Sequence, residues 1–516
     1  MGTDRDRGST CALRVGSARA VELPRARRSR GADDVSGAND GDDLLDVAIV
    51  GCGPVGVSLA NLLGQRGLSV RAFERERDVY HLPRAAHFDG EIMRIFQSMG
   101  CAEAVEPHTA PIKGMHFHGA DGGFLFDYDA PAGEGPEGWA ADYMFWQPEL
   151  ELALRARTRQ HASVELSLGV DVMRVEDLGD HAVVHTAGGE HRASYVVGCD
   201  GARSLVRKTI GADLFDYGFD QPWLVIDAMM ERDVALPDHA IQYCDPARPA
   251  TFVPHGGRHR RWEIMVLPGE DPAEVEARSW ELLEPWIRPG DAELVRTAVY
   301  LFHALVADRW RSGRLLLAGD SAHQTPPFLG QGMCAGIRDA ANLAWKLELL
   351  LRGGAHGALL DTYQPEREPH VRAFIEAAIA AGSIIQTLDP DVAAARDAHF
   401  RAGGSDGNGP PHPLLGPGVA DEPSERMPQP DRLDDRLGDS FAFVVAEPAT
   451  LDGIDDATRR RLDALGAPAV CTPELGAWLA DHEAIAALVR PDRYVFGFAR
   501  RAEDVDTLTG ALLARL

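Results

Sequence analysis

Residues Asp46–Glu74 constrain the fold more tightly than any other stretch. DVAIV (46–50) is a continuous apolar run of the kind buried in a parallel sheet, and Gly51-Cys52-Gly53-Pro54-Val55-Gly56 follows without a gap. Val57–Gln65 then reads as a helix ended by Gly67, Leu68–Phe73 as the next strand, and Glu74 stands just past it. In such a strand-helix-strand unit the first glycine makes the tight turn and the second lets backbone reach a pyrophosphate. The third lets helix pack on strand, and the acid receives ribose hydroxyls. Glu74 lies 23 residues after Gly51, near the spacing of about 20 expected for that acid. An acid there disfavours a 2′-phosphate, so the unit suits FAD or NAD better than NADP. Pro54 and Val55 in the turn and Arg75 beside the acid complete this set of candidate cofactor contacts.

A second stretch, residues 314–347, has the same logic. The apolar run Leu315–Ala318 ends in Gly319-Asp320, a loop with Pro326 and Pro327 follows, and Gly330-Gln331-Gly332-Met333 opens a long amphipathic helix. Asp320 is expected at the carboxyl end of a strand, where open α/β sheets place ligand contacts. The prolines stiffen the loop, the glycines allow close backbone approach, and the positive end of the helix favours a ring that becomes anionic on reduction. A third strand, Tyr195–Cys199, ends in Asp200-Gly201-Ala202-Arg203-Ser204, again an acid and a glycine turn at a strand end.

Composition excludes several function classes. Net charge is −27, from 79 acidic and 52 basic residues, which argues against nucleic acid and against an anionic membrane surface. The seven cysteines are scattered with no CxxC pair, so neither a zinc site nor a dithiol is indicated, and a reducing cytoplasm fits. No apolar run is long enough to span a bilayer. No metal-ligand spacing stands out.

The rest of the chain divides by composition. Residues 1–43, rich in Arg and then in Asp and Gly, read as a disordered tail. Residues 44–110, 147–215 and 306–400 read as three parts of one nucleotide-binding domain. Residues 111–146 and 216–305 read as a β-rich domain interleaved with it. Arg84, in a loop, could hold a phosphate or cover a ring edge, and Gln147 opens a helix. Arg258, His259, Arg260 and Arg261 would either attract a substrate carboxylate or form an exposed hairpin tip. Residues 401–439, rich in Pro, Gly and Asp, read as a linker, and residues 440–516 alternate strand and helix like a thioredoxin-type module whose only cysteine is Cys471.

Taken together, GCGPVG with Glu74, CDGARS and GDSAH…PPFLGQG resemble, in set and order, the single-component (group A) FAD-dependent aromatic hydroxylases. Within that family the stretches YHLPRAAHFDGE, FWQPELE, RRWEIMVLPGE and GIRDAANLAWKL most resemble the 3-(3-hydroxyphenyl)propionate hydroxylases. The resemblance implies an α/β fold: a Rossmann-like FAD-binding domain of the p-hydroxybenzoate hydroxylase type, a β-rich substrate domain and a thioredoxin-like C-terminal domain. It implies FAD as cofactor, NADPH or NADH as reductant, O2 as co-substrate, and hydroxylation of a phenolic ring through a C4a-hydroperoxyflavin. Gly51, Gly53, Gly56 and Glu74 would hold the ADP half, and Arg84 and Gln147 would contact the flavin side. Asp200 and Gly201 would serve FAD and the nicotinamide, Asp320 the ribityl or pyrophosphate portion, and Pro327, Gly330 and Gly332 would border the ring. His255 is the candidate base or substrate contact, and His323 is expected to be structural. The substrate would be a small aromatic molecule, either phenylpropionate-like or a larger polycyclic phenol. A flavin dehydrogenase and a ligand-sequestering flavoprotein are the competing readings. A homodimer is compatible with the sequence.

Overall fold

A computed structural model describes residues 44–404 and 412–516; the tail expected over 1–43 lies outside the described residues. Four sheets organise them. In the first, Leu315–Leu317, Gly189–Gly198, Leu45–Val50, Val70–Glu74 and Val164–Leu168 run parallel in that spatial order. Val47–Val50 and Leu315–Leu317 are buried throughout, as strands covered on both faces must be. Helix Pro54–Gln65 starts with proline, whose missing N–H is lost nowhere else so cheaply, and packs against helix Gly332–Leu351. The parallel arrangement brings three strand ends side by side. Cys199 N–H donates to Val50 O at 2.7 Å, Gly51 N–H to Phe73 O at 2.8 Å and Ala318 N–H to Gly198 O at 3.0 Å. The loops after Val50, Gly198 and Leu317 therefore open on one edge of the sheet.

The second sheet has eight strands and is mostly antiparallel. Its centre is Leu214–Met230, flanked by Ala292–Ala307 and His259–Met265, and it continues through Ala250–Val253, Ala240–Tyr243, Gly114–His118 and Phe124–Asp129. The segment 111–146 is thus shared. Its first two strands join this sheet, while Asp142–Phe145 pairs with His87–Asp89 and Thr109–Pro111 in a separate three-stranded sheet. The basic cluster divides: Arg258 is exposed in the turn that joins Ala250–Val253 to His259–Met265, as a hairpin tip would be, and the others are drawn inward. Arg261 is buried against Asp227, and His259 stacks on Trp146 with ring centroids 3.5 Å apart.

In the C-terminal sheet, Ala442–Val445 lies parallel to Ala469–Cys471 and antiparallel to Ala486–Val489, which pairs with Val495–Ala499. Trp345 of the long helix shares its core with Phe441, Phe443 and Leu488. A buried ionic group ties the same surfaces together: Arg490 donates to both Glu366 oxygens at 3.0 and 2.9 Å, and Lys346 Nζ donates to Oε2 at 2.7 Å. The stretch expected as a linker is docked over much of its described length. Met427, Leu433 and Leu437 are buried, and Arg94 grips it with two bonds to Asp434 (2.7 and 2.9 Å) and one to Met427 O (2.7 Å). Proline and aspartate there serve turns and ion pairs, not free chain. No single helix among the described residues is long and apolar enough to cross a membrane.

Candidate active site

A cavity of about 400 Å³ lies where the open edge of the parallel sheet meets the face of the second sheet, within the range of small-molecule sites. Of the residues singled out in the sequence, Gly53, Pro54, Val55, Arg84, Gln147, Gly201, Asp320, Pro327, Gly330, Gly332 and Met333 line it. Two glycines are forced by contact. Gly51 has φ +93°, and a Cβ there would stand 2.4 Å from Cys199 O; a Cβ on Gly56 would stand 2.0 Å from Gly51 O. Gly53 and Gly332 differ, because a Cβ on either meets nothing within 4 Å. Both face open space at a helix N-terminus, where unpaired N–H groups and the helix dipole favour an anion.

Glu74 closes its strand, and its Oε2 accepts from Cys52 N–H at 2.9 Å, which fixes the carboxylate beside the glycine turn. Gln147 Oε1 accepts from the N–H groups of Arg84 and Ala85 at 2.7 and 2.8 Å, holding that loop against the cavity, while its amide donates to Glu151 at 2.8 Å. Asp320 is exposed to the open cavity at the strand end; the protein around it raises its pKa by desolvation, with His323 and Arg84 pulling the other way. Gln331 is clamped by Arg338 Nη1 at 2.9 Å and Asp89 at 3.1 Å, so the turn ahead of the long helix is held from behind.

Six of the candidate residues do not line the cavity: Gly51, Gly56 and Glu74, which shape the turn beside it, and Arg75, Asp200 and His255. Arg75 is 71% exposed beside Glu76 and does not line the cavity. Asp200 is turned toward its own chain: its oxygens accept from Ser204 Oγ (2.5 Å) and Leu205 N–H (2.6 Å), capping the helix that follows. His255 is buried behind the wall, Nδ1 3.1 Å from Phe145 O, with Nε2 lacking a hydrogen-bond partner among the described residues. Burial, reinforced by Arg261, lowers its pKa to about 3, so it is neutral and away from the cavity. His323 bonds Asp339 at 2.7 Å, and Asp339 also bonds Arg367 and Gly319 N–H, a structural role as expected.

Sequence reading missed most of the far wall. Met115, Tyr128, Met144, Val253, Phe328 and Phe374 make it largely apolar, with Gln242, Thr251, Arg261 and Glu263 as its polar part. His87 and Asp142 also line it, joined Nε2 to Oδ1 at 2.7 Å. Burial alone would lower the His87 pKa, but the bond and charge of Asp142 outweigh it and the net shift is upward. The β-rich segments 111–146 and 216–305 and the basic run 258–261 point to this region in the sequence, without singling out these residues apart from Arg261. The rest depends on which strands pair.

The profile of the FAD binding domain family matches residues 44–378. A probable NADH-specific resorcinol 4-hydroxylase of Rhodococcus jostii (strain RHA1) is 40% identical over 510 residues, covering 92% of this chain and 96% of the relative. A 3-(3-hydroxy-phenyl)propionate/3-hydroxycinnamic acid hydroxylase of Klebsiella pneumoniae (strain ATCC 700721 / MGH 78578) is 32% identical, covering 88% and 91%. Among solved structures, aklavinone-11 hydroxylase with FAD and aklavinone superimposes with TM-score 0.76 at 23% identity, covering 93% of this chain and all of that one. The flavin-dependent monooxygenase PieE with FAD and substrate gives 0.74 at 22% identity, covering 92% and 100%. With the glycine turn, the open helix ends and a cavity between two sheets, these likenesses establish that the chain belongs to the single-component FAD-dependent aromatic hydroxylases.

Proposed function

We propose that this enzyme hydroxylates a small, uncharged phenol of the resorcinol type, with NADH as reductant and O2 as co-substrate. The observation that carries this reading is the commitment of Arg261. Its Nε donates to Asp227 at 2.8 Å, Nη1 to Arg84 O at 2.9 Å and Nη2 to Pro83 O at 2.8 Å. The other arginine on the cavity, Arg84, belongs to the loop after the Glu74 strand, not to the second sheet, and lies close enough to Asp320 to oppose the rise in its pKa. The second-sheet wall therefore offers a substrate carboxylate no free cation among the described residues. It suits a ring whose polar groups are hydroxyls. The likeness to the resorcinol hydroxylase over nearly the whole chain points the same way.

In this reading Gly51, Gly53 and Gly56 with Glu74 hold the adenine end of FAD, Asp320 and Arg84 its middle, and Pro327, Gly330, Gly332 and Met333 border its ring. Bound FAD supplies the redox chemistry: it accepts electrons from NADH and delivers one atom of dioxygen to the aromatic ring. The chain supplies the surroundings. The N-terminus of helix Gly332–Leu351 stabilises negative charge on the reduced ring. Met115, Met144, Val253 and Phe374 keep water from the reacting atoms. A cytosolic setting accords with the six described cysteines, all of them free thiols. The test is NADH oxidation by the purified yellow protein with resorcinol or 3-(3-hydroxyphenyl)propionate, followed alongside product mass. Faster oxidation with resorcinol and a product heavier by one oxygen is expected; preference for the carboxylate-bearing ring would overturn the reading.

A further inference from the structure

Strands Ala240–Tyr243, Ala250–Val253 and His259–Met265 are hydrogen-bonded neighbours, and their register sets Gln242 opposite Thr251 and Thr251 opposite Glu263. Side chains at paired positions project from the same face. The three thus form a polar row across the cavity wall, and all three line it. Two members satisfy each other. Thr251 Oγ1 donates to Gln242 Oε1 at 2.5 Å, and the Gln242 amide reaches Met115 Sδ at 3.3 Å.

Glu263 is different. It is 8% exposed, and no hydrogen bond reaches its carboxylate among the described residues. Its ion-pair partner there is Arg261, at 3.8 Å, whose donors serve Asp227 and two backbone carbonyls. A buried carboxylate without a donor is costly. Here the missing donor has one direction from which to come, the cavity.

We propose that Glu263 is the substrate-contacting catalytic residue, accepting the hydrogen bond of the phenolic O–H and taking its proton as the ring is oxygenated. The proposal rests on the reading of a neutral phenol as substrate. In the step, the phenolic O–H bond breaks and its proton passes to a Glu263 oxygen. The electron pair stays on the phenolic oxygen, from which it enriches the ring carbons ortho and para to it. The proton leaves to water before the next substrate binds, and NADH and O2 supply the redox equivalents. Burial raises the Glu263 pKa, with Asp227 adding to the rise and Arg261 and Arg296 opposing it, which makes the carboxylate a better base than one in water. The same charge repels a carboxylate-bearing ring.

The test uses the full-length, FAD-loaded protein and its Glu263→Gln variant. Calorimetric binding of resorcinol is compared with that of 1,3-dimethoxybenzene, which has no O–H to donate. The variant is expected to bind resorcinol about tenfold more weakly, to bind the dimethoxy compound as the wild type does, and to lose about a hundredfold in kcat for ring oxygenation. Unchanged resorcinol affinity and kcat, with FAD content intact, would overturn the role of Glu263 and leave the neutral-phenol reading standing. Wild-type preference for 3-(3-hydroxyphenyl)propionate would instead overturn that reading, and the proposal with it. Should the Gln variant not fold, Glu263→Asp keeps the charge but withdraws it by one methylene. A fall in kcat with unchanged dimethoxybenzene binding is then expected, and wild-type kcat would overturn the proposal.

Discussion

Gly53 and Gly56 sit three residues apart in one turn, yet the structure assigns them opposite failure modes. At Gly56 the new Cβ of an alanine would lie 2.0 Å from Gly51 O, a backbone oxygen that cannot rotate away. An unstrained carbon–oxygen contact needs about 3.3 Å, so the helix would have to withdraw from the strand by more than an ångström. Overpacking of this kind costs about 3 kcal/mol, the upper end of the usual range. At Gly53 the backbone has φ −73°, which alanine adopts freely, and the Cβ meets nothing within 4 Å. Gly53→Ala is therefore expected to leave the FAD-free protein as stable as before, or more stable by about 0.4–1 kcal/mol through a less disordered unfolded chain. Its methyl group would stand where cofactor must approach backbone, so FAD affinity should fall at least about tenfold, or about 1.4 kcal/mol. Urea unfolding of the FAD-stripped proteins and fluorescence titration with FAD separate the two effects. A Gly53→Ala protein that binds FAD like the wild type would refute the close-approach argument, and a Gly56→Ala protein of full stability would refute the packing argument.

Three further outcomes follow from buried ionisable groups. Asp434→Ala takes a carboxylate from two buried arginines, leaving Arg94 with Glu137 and Arg493 with backbone carbonyls, and should destabilise the protein by about 3 kcal/mol with earlier proteolysis between residues 412 and 439; wild-type protease resistance would contradict the docked strap. Glu366 is expected to contribute to acid sensitivity. Burial acts to raise its pKa, but Arg490 and Lys346 outweigh burial and hold it at about 2, below its ordinary 4.5. Its contribution is thus present above pH 4.5 and lost as pH falls toward 2, and Glu366→Gln should flatten the stability–pH curve in that window; an unchanged slope would speak against it. His255→Gln should leave the pH profile of turnover unaltered, because His255 stands behind the cavity wall; a displaced profile would return it to the chemistry.

What could be read from sequence was what backbone geometry ties to residue type. Gly51 and Gly56 are glycines because a Cβ would collide with backbone, so the turn, its strands and Glu74 stood out. The three strand ends bearing Cys199–Gly201, Gly51–Gly53 and Ala318–Asp320 were legible for the same reason. Glu263 was not, because it gains meaning only when three strands pair in register with Gln242 and Thr251 beside it. Arg261 looked like one of four surface cations; its partners Asp227 and the Pro83 carbonyl are 34 and 178 residues away. The stretch up to residue 439 looked like tether by composition, because the arginine that pins it stands 340 residues earlier. Asp200 had the right place at a strand end, but its carboxylate caps the next helix.

The most direct test of the account is turnover of resorcinol by the FAD-loaded enzyme with NADH under isotopically heavy dioxygen. The account predicts NADH oxidation stimulated by resorcinol and a product carrying one heavy oxygen atom per ring. A product without the label, or ring-stimulated NADH oxidation that leaves resorcinol unaltered, would contradict it.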